Sequence, residues 1–211
     1  MVDLKSAVKE LVENSLDANT RNLEIKFLAS GLNGFEVSDD GSGIKEEDFE
    51  MIAKRGTTSK IREFDDIYKI KSLGFRGEAL SSLCNIANVT VQTKKPEWTT
   101  GWQIKFDHLG NMVEKSQIAR KNGTQVIIKD LFRDLPVRLI DFKKNCKTQY
   151  ARCIMLMQQY AMISDKTRIS ILNNQGEGMP FTSVLRTNPS SSGDIGFKDN
   201  IQSVLGKPKF K

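Results

Sequence analysis

The sequence predicts an α/β protein built from short strands, tight turns and a few helices. Three patterns predict it. Val8, Leu11, Val12 and Leu16 recur at helical spacing near the start, several short runs alternate apolar with polar residues, and residues 139–163 form one long helical stretch.

The first helix, residues 10–18 (ELVENSLDA), buries that apolar face. Its other face is less ordinary. Glu10, Glu13, Asn14 and Asp17 sit at i, i+3, i+4 and i+7, so three carboxylates and an amide form one stripe with no lysine among them. Such a stripe is either a solvated acidic face or a site for a hard cation and an activated water. Repulsion does not decide, because an exposed like-charge pair costs only about 0.2–0.5 kcal/mol. Oxygen ligands suit Mg²⁺, which one or two protein groups and substrate phosphates usually hold.

Residues 23–28 and 35–39 read as a hairpin turning at Gly31 and Gly34, and its second strand runs into Asp39-Asp40-Gly41-Ser42-Gly43. An aspartate ending a strand before Gly-x-Gly is well placed to meet a ligand, since glycine permits close backbone approach; a plain strand-to-helix turn is the other reading. A calcium loop is excluded, because positions 3 and 5 counted from Asp39 are Gly41 and Gly43. Residues 45–54 look helical. Arg55-Gly56-Thr57-Thr58-Ser59-Lys60 is small, basic and hydroxyl-rich, as phosphate loops and many surface loops are. Residues 74–80 (GFRGEAL) lead into a helix over 79–87, either as a helix entry or as an anion site; the absence of GxxxxGK[ST] excludes a Walker loop.

Strands are expected over 89–93, 102–106, 112–115 and 123–129, with Gly110 turning the chain beside the only histidine, His108, to which no role falls. Residues 135–138 break the chain before the long helix, whose basic start carries Lys143, Lys144, Lys147 and Arg152, either as a solvated face or as a nucleic-acid contact. A hairpin over 168–172 and 180–185, a polar linker at 187–193 and a short helix over 195–205 complete the chain.

A hydrophobic content of 38% and a charged content of 27% fit a soluble globular protein of one large domain, or a domain and part of another. No apolar run reaches the roughly 20 residues of a membrane helix, and the N-terminus lacks the apolar core of a signal peptide. Cys84, Cys146 and Cys153, an odd number without CxxC spacing, imply reduced thiols and no zinc site. A net charge of +6 suits an anionic partner.

ELVENSLDA, DDGSG, TTSK, GFRGEAL and a Gly-Thr before a strand, in this order and at these spacings, resemble the MutL family of mismatch-repair ATPases. That family belongs to the GHKL superfamily with gyrase, the ninety-kilodalton chaperones and histidine kinases. GFRGEALSSL and GTQV…DLF…LPVR…F resemble its eukaryotic PMS-type branch. The resemblance runs from about Ser6 to Gly206. It implies a two-layer α+β sandwich of the GHKL (Bergerat) type, helices on one face of a mixed, mostly antiparallel sheet, with ATP between the helices and the Gly-rich loops. It also implies a nucleotide-driven clamp in DNA mismatch repair that hydrolyses ATP slowly with Mg²⁺. Another MutL homologue as heterodimer partner, mismatched DNA, MutS-type proteins and a nuclear location follow from the same resemblance.

Position by position, Glu10 matches the family's general base and Asn14 its magnesium ligand. Asp39 matches the acceptor of the adenine amino group, with Gly41 and Gly43 letting the base approach the backbone. Thr58, Ser59 and Lys60 match the small loop near the nucleotide, while Gly74, Phe75, Arg76, Gly77, Glu78, Ala79 and Leu80 match the lid segment whose amides hold phosphates. Thr124 matches a residue lining the base pocket. Two departures stand out. Asp40 replaces the asparagine of DNGxG, and an extra negative charge there is expected to weaken binding without abolishing it. The family's preceding Q-x-x-x-G-x-V segment and its second-domain lysine have no counterpart, so residues 1–187 are expected to form a trimmed ATPase domain and 188–211 a linker and the start of a second domain. A non-hydrolysing DNA-binding or dimerisation module is the alternative. A histidine kinase lacks support, because no phosphoacceptor segment precedes the domain.

Overall fold

The computed structural model describes residues 3–57, 77–176, 178–188 and 193–206. Along the chain run α1 (Leu4–Asp17), β1 (Asn22–Leu28), β2 (Gly34–Asp39), a 3₁₀ turn (Glu46–Asp48), α2 (Ala79–Cys84), β3 (Asn88–Lys94) and β4 (Gly101–Phe106). Then follow β5 (Met112–Ile118), β6 (Gly123–Lys129), α3 (Pro136–Ile163), β7 (Arg168–Asn174), β8 (Thr182–Arg186) and α4 (Gly193–Leu205).

The described strands form one sheet in the order β5-β4-β3-β6-β2-β1-β7-β8, antiparallel throughout except for the parallel pair β1–β7. β6 and β7 therefore point the same way, and α3 returns the chain across β2 and β1 between them. At 28 residues, α3 is about 42 Å long, ample for that crossing.

Strand alternation decides the layering. Leu23, Ile25 and Phe27 on β1, Phe35 and Val37 on β2, and Val89 and Val91 on β3 are all buried. They meet Leu4, Val8, Leu11 and Val12 of α1 and Phe142, Cys146, Cys153 and Met157 of α3 in one core. Phe27 stands edge-on to Tyr150, with ring centroids 5.1 Å apart. The opposite face carries polar cross-strand pairs, Gln92 donating to Gln103 at 2.8 Å and Gln125 to Glu36 at 2.9 Å. One face of the sheet is thus covered by helices and the other is built for water.

Four segments differ from expectation. Residues 45–54 form the 3₁₀ turn and further turns rather than a helix, their amides reaching mostly three residues back (Asp48 to Lys45, Phe49 to Glu46, Met51 to Asp48). Lys45 supplies no side-chain cap, and so short a segment is marginal as a helix. The helix expected over 79–87 stops at Cys84, where the Asn85 amide turns back onto the Ser81 carbonyl. α3 starts at Pro136 instead of after it, because the first helical position needs no N–H. Thr187, the expected start of a linker, is fully buried and exchanges two hydrogen bonds with Ile169, both at 2.9 Å. Beyond it α4 packs on α3 and β8, and the Asn200 amide donates to the Ser164 carbonyl.

Asp40 fastens the link between α1 and β1 to the end of β2. Its Oδ1 accepts from the Thr20 hydroxyl (2.6 Å) and from the amides of Arg21 (2.7 Å) and Asn22 (2.8 Å), and its Oδ2 accepts from the Asn22 amide nitrogen (2.7 Å). Partial burial alone would raise its pKa, but these donors hold it at about 2, below the ordinary 3.8. A depressed carboxyl stabilises the fold above its unfolded pKa and ceases to do so as pH falls through its folded value. Asp40→Asn should therefore cost about 1 kcal/mol at neutral pH, water screening keeping the loss small. In urea titrations the gap to the parent should close between pH 3.8 and about 2; a gap independent of pH would show that the ionised form is not what these donors select.

Candidate nucleotide site

The acidic stripe of α1 separates into two parts. Glu10 and Asn14 are exposed and Asp17 is half-buried. Glu13 is only 6% exposed and points toward α3, where its Oε1 accepts from the Tyr160 hydroxyl (2.6 Å). Its Oε2 accepts from Lys9, one turn earlier on the same helix (2.6 Å). No lysine lies on the stripe, yet one lies beside it. Among the described residues no group of three or more acids, histidines or cysteines could hold a metal by itself. What α1 offers is a carboxylate and an amide oxygen one turn apart, a hard-donor set that fits a magnesium ion relying mostly on phosphate oxygens and water.

Asp39 closes β2 with its side chain 8% exposed. Its Oδ1 accepts from the amides of Gly41 (2.9 Å) and Thr124 (3.1 Å), and its Oδ2 from the Ser15 hydroxyl (2.8 Å). A carboxylate offers about four lone-pair directions, so one acceptor position on Oδ2 remains for a ligand. Burial raises the Asp39 pKa, and the hydrogen bonds from Gly41, Ser15 and Thr124 and the charge of Arg120 work against that rise. Arg120 is itself partly desolvated, which lowers its pKa, and its guanidinium donates to the carbonyls of Lys121 (3.1 Å) and Gln92.

Backbone contacts pack the strands around Asp39. Gly123 has φ +107°, and a Cβ there would lie 2.0 Å from the Asp39 carbonyl; Gly43, at φ +70°, abuts the Lys94 carbonyl. Any side chain at either position would push β6 or β3 off the Asp39 loop. Thr93, fully buried, joins the same loop to both strands: its hydroxyl accepts from the Ile44 amide (2.9 Å), donates to the Gly123 carbonyl (3.3 Å) and meets the Thr124 hydroxyl (3.3 Å).

Of the residues expected at the site, the structure brings Asp39, Gly43 and Thr124 together, with Asn14 adjoining Ser15 on α1. Glu10 stands five residues before Ser15, about 7.5 Å along the helix axis. Gly77, Glu78, Ala79 and Leu80 open the six-residue α2, which packs on α1 and β3. Gly77, at φ +61°, lies against the Thr57 carbonyl, and Glu78 pairs with Arg55 at 3.3 Å. Thr58, Ser59, Lys60, Gly74, Phe75 and Arg76 lie outside the described residues. Lys143, Lys144, Lys147 and Arg152 are exposed on α3 and are not among the donors to Asp39.

Sequence reasoning missed Ser15, Thr93 and Arg120. The first two left a signal: each places a hydroxyl at an inward position of an apolar series, Leu11–Ser15 on the helix and Val89–Val91–Thr93 on the strand. Arg120 left none.

Residues 2–131 match the family described as histidine kinase-, DNA gyrase B-, and HSP90-like ATPase. Mismatch repair endonuclease PMS2 of Gallus gallus is 40% identical over 211 residues, covering 100% of this chain and 24% of that protein. DNA mismatch repair protein PMS1 of Saccharomyces cerevisiae is 40% identical over 206 residues, 98% of this chain and 23% of that protein. The chain thus spans about a quarter of the length of the curated relatives it matches. Among solved structures, the N-terminal domain of a DNA repair protein superposes with a TM-score of 0.84 at 37% identity, over 98% of this chain and 58% of that one. The Aquifex aeolicus MutL ATPase domain complexed with ADP superposes with a TM-score of 0.71 at 24% identity, over 97% and 69%, which shows the shared fold. The chain belongs to the histidine kinase-, DNA gyrase B- and HSP90-like ATPase family and is homologous to the ATPase region of the PMS-type mismatch repair proteins.

Proposed function

We propose that this chain binds Mg·ATP and hydrolyses it slowly, as the nucleotide-driven part of a mismatch-repair clamp. The observation that carries the reading is Asp39: a buried carboxylate with three protein donors and one acceptor position left, which suits the exocyclic amine of adenine. An ionised acceptor in that place has nothing to offer the carbonyl oxygen of guanine.

In this reading Glu10 accepts the proton of a water whose oxygen attacks the γ-phosphorus, and the bond from that phosphorus to the β–γ bridging oxygen breaks to release ADP. Asn14 is the protein ligand of Mg²⁺, which supplies charge neutralisation at the phosphates when bound. Gly77 to Leu80 act as the described part of the phosphate-holding segment. In the cell the chain works in the nucleus as part of a heterodimer with another MutL homologue, alongside mismatch-recognition proteins of the MutS type.

DNA contact falls on α3. Lys143, Lys144, Lys147 and Arg152 are all exposed, and among the described residues none of the four forms an ion pair. The one acid on that stretch, Asp141, accepts instead from Asn145 at 2.9 Å. A duplex phosphate backbone is the counterpart such a ridge suits.

Two substitutions separate binding from turnover. Glu10→Ala should leave Mg·ATP affinity near that of the parent in titration calorimetry and slow hydrolysis by about 10²–10⁴-fold. Turnover at the parent rate would remove Glu10 as the base, and a parent that binds ATP without turnover would favour a non-hydrolysing module. Asp39→Asn should weaken ATP and ADP alike by about ten- to a hundredfold, and the parent should discriminate against GTP. Equal GTP and ATP affinities would remove the adenine assignment. For DNA, reversing Lys143, Lys144 and Lys147 to Glu should flatten the log–log salt dependence of binding by about one unit for each phosphate no longer neutralised. An unchanged slope would place the DNA path elsewhere.

A further inference from the structure

Glu13 presents a problem that stability alone does not explain. It is a carboxylate only 6% exposed, three residues from Glu10 on the same helix, and it is held from two sides by Lys9 and by Tyr160 of α3 at 2.6 Å each. Replacing a buried ion pair by apolar residues is commonly neutral or stabilising. Packing between α1 and α3 would therefore tolerate a leucine here at least as well as a charge that must be matched. What the charge adds is direction. A carboxylate accepting from two fixed donors stays in one rotamer, and it ties the turn of α1 bearing Glu10 to a point on a different helix 147 residues away.

Without the tie, the stripe itself becomes the hazard. Residues three apart on a helix are neighbours, so a released Glu13 could swing onto the face of Glu10 and Asn14. There it would repel the Glu10 carboxylate and compete for the attacking water. Farther along α1, the Ser15 hydroxyl is fastened to Asp39. The helix is thus held at two nearby points on different sides: by Ser15 on Asp39 and by Glu13 on Tyr160 of α3.

We propose that Lys9 and Tyr160 are positioning residues for ATP hydrolysis, which hold Glu13 off the Glu10–Asn14 face and fix the rotation of α1 that aims Glu10. The proposal rests on Glu10 being the general base. It predicts a specific split between binding and rate. The Ser15–Asp39 bond, which fixes α1 beside the adenine acceptor, does not involve Lys9 or Tyr160. Nucleotide affinity should therefore be little affected, while displacement of a catalytic group by about an ångström is costly in rate.

The test uses the whole chain with Mg·ATP. Tyr160→Phe removes one oxygen and Lys9→Met one charge, while Lys9→Arg keeps the charge. The dissociation constant comes from calorimetry and the hydrolysis rate from single turnover. Tyr160→Phe and Lys9→Met should each slow hydrolysis by about ten- to a hundredfold with affinity within about twofold of the parent, and Lys9→Arg should recover most of the rate. Parent-like rates in both variants would overturn the proposal. So would a loss of affinity that matches the loss of rate, since that marks a general loosening of the fold. Glu10→Ala in parallel distinguishes the two levels: if it hydrolyses normally, the base assignment fails, whereas a dead Glu10→Ala beside unaffected Tyr160→Phe and Lys9→Met sinks only the positioning role.

Discussion

The buried carboxylate of Asp39 is the point on which the rest of the site depends. A lone ionised carboxylate at 8% exposure is costly, and this one is retained because three donors converge on it from separate parts of the chain. Ser15 comes from α1, Gly41 from the loop after β2, and Thr124 from β6. Each donor requires its element to stand where it does. The helix layer, the hairpin and the β3–β6 half of the sheet are therefore registered against one another at the Asp39 oxygens, and that registration leaves a single acceptor position open to the outside.

The same logic explains residues that touch no ligand. Thr93 and Gly123 allow β3 and β6 to close on the Asp39–Ile44 loop, one by a buried hydroxyl and the other by lacking a side chain. Asp40, next to the acceptor, directs its charge at Thr20, Arg21 and Asn22, so two adjacent carboxylates serve opposite sides of the same turn. The extra charge expected to weaken binding is thus engaged by the link between α1 and β1.

Much of the fold was legible because one face of the sheet is dry. Leu23-Ile25-Phe27, Phe35-Val37 and Val89-Val91 alternate with polar partners, and all of these strands lie within a residue of their expected bounds. Segments without a sustained period were harder. The apolar residues of 45–54 suit a helix, but too few turns exist to sustain one, and Pro136 reads as a break unless its place at the helix start is known. The parallel pairing of β1 with β7 joins residues roughly 146 apart and has no local signature. At the site, Asp39 stands out by its place at a strand end before Gly-x-Gly and the α1 stripe by its spacing, whereas only the family resemblance singles out Glu10 and Asn14 from that stripe. Tyr160 could not stand out, because what makes it matter is contact with Glu13 across the core. Lys9 differs: it lies off the acidic stripe, yet it stands at i, i+4 from Glu13, the spacing at which helical side chains pair, so this contact was legible and sequence reasoning missed it.

In the proposed reading the remaining acceptor position on Asp39 takes adenine, and Glu10 and Asn14 serve the far end of the nucleotide. A crystal structure of this chain with Mg²⁺ and a non-hydrolysable ATP analogue tests that assignment most directly. The adenine amino nitrogen should lie about 3 Å from Oδ2 of Asp39, and the γ-phosphate on the Glu10–Asn14 side of α1. An analogue bound with its base away from Asp39, or with its phosphates on the far side of the sheet, would contradict it.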